Sequence, residues 1–268
     1  MAQSFKRMAV VTGTSSGIGL AVALILLQRG WRVVGVSRRP GQIENPNYSH
    51  LRLDLGKTAE AIAEIDARVG SLLSEPAIER LALVNNAALG GLLGPVEQLD
   101  TAALLSVYAV NVVAPMALMG WLLRRGPSRA TIRIVNVSSG AAGQALPGLA
   151  AYGSSKAALR MAGMVLGAEL DASLKEGGPR RDASILSFEP GLVDTEMQAA
   201  ARTSSREVLP MVDYFKHAAT AGSLMPAAVP ARTIADYVGG DGHPTFAERR
   251  QAPAPGANPP PAPGIPSN

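Results

Sequence analysis

The sequence predicts one large α/β domain in three layers, with a parallel sheet covered by helices on both faces. Along residues 8–240, short apolar runs alternate with longer stretches of helical periodicity, and the joints between them are short. Of the 268 residues, 47% are hydrophobic and 17% are charged, which suffices for a sizeable core. Because parallel strands need right-handed crossover connections, the alternation indicates a doubly wound sheet.

Six clear strands follow from runs of Val, Leu and Ile that end at glycine or polar residues, as in buried parallel strands. They are predicted at residues 8–12, 31–36, 50–54, 80–84, 131–137 and 183–188. Helical periodicity lies between them, at residues 17–29, 57–73, 101–124, 151–174 and 231–238. Residues 239–246 show no alternation of β-branched side chains, so we expect a seventh strand to be short, distorted or absent.

Composition excludes several classes of protein. There is no cysteine, and the three histidines lack metal-ligand spacing, so we expect no disulfide, no thiolate catalysis and no metal. The net charge of +4 is spread over short arginine pairs rather than a basic stripe, which argues against nucleic acid as a partner. We see no apolar run long enough to span a bilayer and no secretory signal, and therefore expect a soluble, cytoplasmic protein with no membrane partner.

The domain is expected to span residues 1–250. Within it, residues 195–228 combine weak periodicity with Met, Tyr and Phe side chains, which favours a mobile flap over a site; an ordinary helical excursion at the surface is the alternative. Residues 251–268 are rich in Pro, Ala and Gly, and this composition predicts a disordered tail.

A glycine-rich turn, Thr-Gly-Thr-Ser-Ser-Gly-Ile-Gly at residues 12–19, joins the first strand to the first helix. Gly13 permits a tight turn, Gly17 lets the backbone approach a pyrophosphate, and Gly19 lets the helix pack closely on the strand. The helix N-terminus then offers N–H groups and a positive dipole end to phosphate. The position of this motif predicts a dinucleotide-binding site.

A second motif, Tyr-Gly-Ser-Ser-Lys at residues 152–156, places a phenol and an ammonium on one helical face. Together with the G-x-x-x-G-x-G spacing of residues 13–19, it resembles the short-chain dehydrogenase/reductase family. The resemblance covers residues 8–240, and it implies a Rossmann fold and a nicotinamide dinucleotide cofactor.

The end of the second strand indicates which cofactor is bound. Proteins that prefer NAD carry an acid there, which holds the ribose 2′-hydroxyl. This sequence has Ser37, Arg38 and Arg39 instead. A guanidinium pairs with a 2′-phosphate and a hydroxyl can hydrogen bond it, so we predict NADP(H).

The resemblance also implies further cofactor contacts. Asp54 and Leu55 match the adenine-contacting position after the third strand, and residues 85–88 match the family's N-N-A-G stretch with Ala88 in place of glycine. Residues 190–195 resemble the P-G-x-V-x-T segment that meets the nicotinamide carboxamide. The full set implied is Gly13, Ser15, Ser16, Gly17, Ile18, Gly19, Ser37, Arg38, Arg39, Asp54, Leu55, Asn86, Ala87, Ala88, Tyr152, Lys156, Pro190, Gly191, Val193 and Thr195.

Four catalytic residues are implied by the same resemblance. Tyr152 would protonate the carbonyl oxygen, and Lys156 would bind the nicotinamide ribose and lower the pKa of the phenol. Ser139, 13 residues before the tyrosine, would hold the substrate oxygen, with Ser138 as the competing assignment. Asn111 in the 101–124 helix would be the fourth, and Pro115 is expected to loosen the backbone hydrogen bonds around it.

Several stretches are closest to the sepiapterin-reductase-like carbonyl reductases, which include the bacterial benzil reductases. This implies NADPH-dependent reduction of one carbonyl of a vicinal diketone. The substrate pocket would comprise Ser139, Leu146, Leu149, Tyr152, Leu192 and Met197. A 3-oxoacyl thioester, a pteridine side chain or a sugar is the alternative substrate, and a non-catalytic NADP(H) sensor the alternative of another class. We expect a homodimer through the apolar helices 101–124 and 152–174.

Overall fold

The computed structural model describes residues 5–175 and 181–253. Within these residues, one sheet of seven parallel strands has the order β3-β2-β1-β4-β5-β6-β7. The order reverses between β1 and β4, which is where ligands bind in open parallel sheets. The strands are β1 Arg7–Thr12, β2 Arg32–Ser37, β3 Tyr48–Arg52, β4 Arg80–Asn85, β5 Thr131–Val137, β6 Ala183–Glu189 and β7 Phe246–Arg250.

Helices cover both faces of the sheet and its carboxyl edge. α2, α4 and α5 pack on one face and α1 and α8 on the other, while α6 and α7 lie over the carboxyl ends of the strands. The helices are α1 Gly17–Gln28, α2 Thr58–Leu73, α3 Thr101–Tyr108, α4 Ala114–Arg125, α5 Ala150–Lys175, α6 Glu196–Arg202, α7 Val212–Thr220 and α8 Ala228–Gly239.

The core consists of two apolar layers separated by the sheet. Successive residues of a strand point to opposite faces, so Val10 of β1 packs with Ile65 and Leu118 of the helices on one face. Val11 packs with Val22 and Ile234 of the helices on the other. Both layers exclude water, and this explains why the central strands are continuous apolar runs. The predicted three-layer fold is thereby confirmed.

The seventh strand is present and short. Phe246–Arg250 pairs in parallel with β6, with Phe246 opposite Ile185. Its last three residues, Glu248, Arg249 and Arg250, are exposed and charged, as is typical of an edge strand. Because these residues are charged, the sequence lacks the apolar alternation that would have predicted the strand. β3 also differs from the prediction, because it begins at Tyr48 rather than His50.

Hydrogen bonds to the domain continue for one residue past the predicted boundary at residue 250. The N–H of Gln251 donates to the carbonyl of Glu189 over 2.8 Å, and the hydroxyl of Thr233 donates to the side-chain oxygen of Gln251 over 2.8 Å. Gln251 is therefore part of the domain, whereas the disordered tail predicted further on lies, from residue 254, outside the described residues.

The helix predicted at residues 101–124 is divided by a π-helical turn at Ala109–Val113, between α3 and α4. Pro115 has no N–H with which to bond the carbonyl four residues earlier, that of Asn111. The expected loosening of the backbone around Asn111 thus takes the form of a π-turn, a feature often found at functional sites.

The prediction that no apolar run is long enough to span a bilayer was wrong for this stretch. By length and composition Thr101–Arg125 could cross a membrane, since its most apolar window has a mean hydropathy of 1.9. Its Leu118 and Leu122 are fully buried against the sheet, as in an interior helix. Leu105, Val113 and Met116 remain exposed, so part of its apolar surface is left uncovered by this chain.

Among the described residues, no group of three acidic or histidine side chains could hold a metal ion.

Candidate active site

A cavity of about 1060 Å³ opens at the carboxyl ends of the strands. Its walls come from the turns after β1, β2, β3, β4, β5 and β6 and from the 195–228 flap. All the predicted cofactor residues border it except Gly19, which lies behind the phosphate loop. The sheet therefore brings together residues that are more than 180 positions apart, from Gly13 to Thr195.

The glycine-rich turn has the tight geometry that its sequence predicts. Gly13 and Gly17 have φ of 76° and 57°, which only glycine adopts without strain. A Cβ at Gly19 would lie 2.3 Å from the carbonyl oxygen of Gly13, so helix α1 could not approach the turn with a larger residue there. Asn86 donates its side-chain amide to the carbonyl of Thr12 over 2.9 Å, which holds the turn against the loop after β4.

The second-strand end carries more positive charge than the sequence motif suggested. Arg52 lies beside Ser37 in the register of β2 and β3, and its Nε donates to the carbonyl of Arg38 over 3.1 Å. Ser37 is buried, and its hydroxyl donates to the carbonyl of Arg39 over 2.8 Å. Its Oγ also lies 2.9 Å from Nε2 of His50. Burial and the charge of Arg52 lower the pKa of His50.

Ser139, Tyr152 and Lys156 converge on the cavity at the end of β5. Ser139 acts on the Tyr152 hydroxyl and lowers its pKa, which favours Ser139 over Ser138 as the partner of the phenol. Lys156 is buried; its Nζ donates to the carbonyl of Val137 over 2.7 Å and lies 5.7 Å from the centre of the Tyr152 ring.

The expected effect of Lys156 on the phenol is not found in this arrangement. Burial raises the pKa of Tyr152 above its ordinary value of 10.0, and the hydrogen bond from Ser139 opposes the rise only in part. Burial also lowers the pKa of Lys156 from 10.5 to about 8. The phenol is therefore kept as a proton donor, and it is the lysine that titrates closer to neutral pH.

Asn111 lies one layer behind the cavity rather than in its wall. It is fully buried, and its side chain forms hydrogen bonds with both main-chain groups of Leu89 and with the hydroxyl of Ser155. Ser155 in turn donates to the carbonyl of Tyr152 over 2.7 Å. The side chain of Asn111 thus positions two segments that do border the cavity.

The substrate end of the cavity is mainly apolar. The predicted Leu146, Leu149, Leu192 and Met197 all border it, and the Met197 side chain reaches across to Gly90. Three residues of the flap outside the predicted substrate set, Met211, Tyr214 and Phe215, belong to the same apolar wall, where they are clustered with Leu146 and Leu149. The Met, Tyr and Phe content of residues 195–228 predicted that this segment covers a site. It did not show which of these side chains would contact the substrate end of the cavity.

Arg250, the last residue of β7, and residues 251–253 after it also border the cavity. Nε of Arg250 lies 3.2 Å from a carboxylate oxygen of Glu189, at the end of β6. No local pattern connects these two residues, because only the pairing of β6 with β7 brings them together.

Comparison with known proteins identifies the family. The family model described as short chain dehydrogenase matches residues 7–206. The chain is 31% identical over 219 residues to benzil reductase ((S)-benzoin forming) of Bacillus subtilis, an alignment that covers 80% of this chain and 86% of the relative. It is 31% identical over 219 residues to sepiapterin reductase of Xenopus tropicalis, covering 74% of this chain and 78% of the relative.

Solved structures show the same fold. A short-chain dehydrogenase/reductase from Saccharomyces cerevisiae superposes with a TM-score of 0.73 at 22% identity, covering 90% of this chain and 95% of that chain. The motifs, the parallel sheet and these matches agree with the resemblance stated from the sequence. The chain belongs to the short-chain dehydrogenase/reductase family of oxidoreductases.

Proposed function

We propose that this protein is an NADPH-dependent carbonyl reductase that reduces one carbonyl of a vicinal diketone. The observation that carries the proposal is that Ser139 and Tyr152 border the same cavity as the phosphate loop, with Ser139 close enough to the phenol to lower its pKa. A carbonyl oxygen placed between these two hydroxyls would accept a hydrogen bond from each. Its carbon would then face the part of the cavity bordered by Pro190, Gly191 and Thr195.

The residues of the groove fit NADP(H). The positive φ angles of Gly13 and Gly17 keep the chain in a tight turn directly before helix α1, whose N-terminus would offer N–H groups to a pyrophosphate. Arg38, Arg39 and Arg52 surround the end of β2, where the second strand of an NAD-preferring protein would carry an acid. The guanidinium groups of Arg38 and Arg39, which border the cavity, favour a 2′-phosphate, which would add two negative charges at this point.

In this mechanism the protein supplies orientation and a proton. NADPH, when bound, supplies the hydride that is added to the carbonyl carbon. The Tyr152 hydroxyl transfers its proton to the carbonyl oxygen, which completes the alcohol, and Ser139 holds that oxygen in place. Lys156, whose Nζ lies 5.7 Å from the centre of the Tyr152 ring, would bind the nicotinamide ribose and orient the cofactor beside the phenol.

The walls of the substrate end support an aryl ketone or diketone. Leu146, Leu149, Met197, Tyr214 and Phe215 border this end of the cavity and offer apolar and aromatic surface on which a phenyl ring can pack. Relatives named benzil reductase in two Bacillus species, both aligned over most of this chain, support the same substrate class.

We also propose a homodimer that works in the cytoplasm. Leu105, Val113, Met116, Met161, Met164 and Val165 form an exposed apolar surface across α3, α4 and α5, called here the α3–α5 patch. Contiguous apolar surface of this kind is typical of protein–protein interfaces. The cytoplasmic location is supported by helix α1. Its apolar residues 18–27 could imitate a secretory signal, but they are folded between β1 and β2 and contribute to the core.

The experiment is a measurement of NADPH consumption by the purified protein with a panel of carbonyl compounds. The panel contains benzil and smaller vicinal diketones, aromatic aldehydes, pterins with a ketone side chain, and 3-oxoacyl thioesters. We expect the highest kcat/KM with the diketones, and with NADPH rather than NADH. Preference for an acyl thioester would replace the proposed substrate class, and tight NADPH binding without turnover of any compound would indicate a sensor.

A further inference from the structure

An ion pair spans the cofactor groove between the adenosine end and the flap. Nη2 of Arg39, just after β2, lies 2.7 Å from a carboxylate oxygen of Glu196, the first residue of α6. The same nitrogen donates to the hydroxyl of Ser16 in the phosphate loop over 3.2 Å. All three residues border the cavity. The contact therefore joins three parts of the groove at one guanidinium.

The flap lies directly over the phosphate loop at this point. A Cβ at Gly17 would be 3.3 Å from the methyl carbon of Thr195, the residue before Glu196. Thr195 itself caps α6 by accepting a hydrogen bond from the N–H of Gln198 over 3.3 Å, which fixes the start of the helix. The carboxylate of Glu196 is consequently held at the groove by the fold, and not only by Arg39.

The charges around Arg39 are unequally distributed. Arg38 borders the cavity next to Arg39, and Arg52 lies behind it with its Nε on the carbonyl of Arg38, whereas Glu196 is the carboxylate in contact with Arg39. Both side chains of the pair are largely exposed, at 60% for Arg39 and 64% for Glu196, and exposed ion pairs are weak and easily exchanged. A phosphate dianion offers the guanidinium more charge and more acceptor oxygens than a carboxylate does.

We propose that Glu196 is a specificity-determining residue that competes with the 2′-phosphate of the cofactor for Arg39. Binding of the 2′-phosphate exchanges one partner of Arg39 for the other and frees the Glu196 carboxylate from the guanidinium. This inference rests on the proposed NADP(H) specificity and adds to it a residue of the flap. Glu196 thereby lowers the affinity for NADPH and couples the exchange of the cofactor to the position of α6.

The test compares the Kd of NADPH and of NADH, measured by fluorescence titration, in the wild type and in Glu196→Gln. We expect Glu196→Gln to bind NADPH about two- to fivefold more tightly, in line with the strength of an exposed ion pair, and NADH within twofold of the wild type. The matched control is Asp213→Asn, which removes a flap carboxylate paired with Arg206 over 2.6 Å and should change neither Kd.

A second background tests whether the effect passes through Arg39. In Arg39→Met, the further change Glu196→Gln should no longer tighten NADPH binding. Unchanged or weaker NADPH binding in Glu196→Gln, or an equal gain for NADH, would overturn the competition. The wild-type titration reports separately on the proposed cofactor, because a wild-type preference for NADH would refute the NADP(H) assignment itself.

Discussion

Asn111 and Leu89 are joined by two reciprocal hydrogen bonds. The side-chain oxygen of Asn111 accepts from the N–H of Leu89 over 2.8 Å, and its Nδ2 donates to the carbonyl of Leu89 over 2.9 Å. The same nitrogen lies 3.0 Å from the hydroxyl of Ser155, which donates to the carbonyl of Tyr152. One buried amide therefore connects the loop after β4, the π-turn and the start of α5.

Replacement of this amide should destabilise the fold and slow the reaction. In Asn111→Ala, both polar main-chain groups of Leu89 lose their side-chain partner at a half-buried position, at up to about 1–3 kcal/mol for each group. We expect the free energy of unfolding, measured with urea, to fall by about 2–5 kcal/mol. The exposed amide of Gln28 on α1 provides the comparison, since Gln28→Ala should change it by less than about 0.5 kcal/mol. A similar loss in both variants would contradict the role of Asn111.

Removal of the phenol hydroxyl should separate chemistry from binding. Tyr152→Phe loses the proposed proton donor, so we expect kcat to fall by about 10²–10⁴-fold, while the Kd of NADPH stays within about twofold. Tyr108→Phe is the control. The Tyr108 hydroxyl on α3 donates to the hydroxyl of Ser154 on α5, the helix of Tyr152, over 2.9 Å, and Tyr108 does not border the cavity. Full activity of Tyr152→Phe in steady-state assays would refute the mechanism.

Reversal of charge at the end of β2 should change the cofactor preference. In Arg38→Asp, a carboxylate replaces a guanidinium beside the proposed 2′-phosphate position and can accept a hydrogen bond from a ribose 2′-hydroxyl. We expect the ratio of kcat/KM for NADPH to that for NADH to fall by at least tenfold. Arg68→Asp makes the same charge change on the exposed surface of α2 and should leave the ratio as it is. An unchanged ratio in Arg38→Asp would exclude its role.

The titration of Lys156 should set the alkaline limit of activity. Its pKa is lowered to about 8, so the ammonium loses its proton as the pH rises through that value, and kcat/KM should fall above pH about 8. The pKa of Tyr152 is raised, so the phenol stays protonated over the same range. A profile of kcat/KM that is flat up to pH about 10 would contradict this assignment.

Stability should respond to the same lysine with the opposite trend. Because the folded protein binds this proton less tightly than the unfolded chain, the contribution of Lys156 to stability rises as the pH increases from about 8 toward 10.5. Lys156→Met should therefore unfold at a higher urea concentration than the wild type at pH 7, and the difference should shrink toward pH 10.

Charge placed on the α3–α5 patch should dissociate the proposed dimer. Met161 and Val165 are exposed on one face of α5, and Met161→Glu with Val165→Glu would bring like charges together across a symmetric interface. Sedimentation velocity should then show a monomer. Leu24→Glu tests an exposed apolar residue of α1 and should leave the dimer intact. A wild type that sediments as a monomer would refute the dimer.

The sequence was sufficient for the sheet and for most of the site. Strand β5 was predicted with its observed ends, because Val and Ile side chains buried on both faces give a signal that depends on few neighbours. The phosphate loop and the Tyr152–Lys156 pair were equally accessible, since each is a local motif whose residues act within one turn of chain.

Contacts between distant segments could not be predicted in the same way. Arg39 and Glu196 are 157 positions apart, and Glu189 and Arg250 meet only through a strand pair whose second member is short and charged. The raised pKa of Tyr152 was also missed, because burial of the phenol depends on the whole cavity wall rather than on Lys156.

The π-turn at Ala109–Val113 has a consequence for the evolution and redesign of this chain. Such a turn holds one residue more than a regular helical turn, and is thus equivalent to a single inserted residue. Deletion of one residue there would restore an unbroken α-helix with its two parts in about their present orientation, and would remove the bulged turn that contains Asn111. Asn111 would then swing away from Leu89, so alignments used to transplant segments between relatives should keep this extra residue.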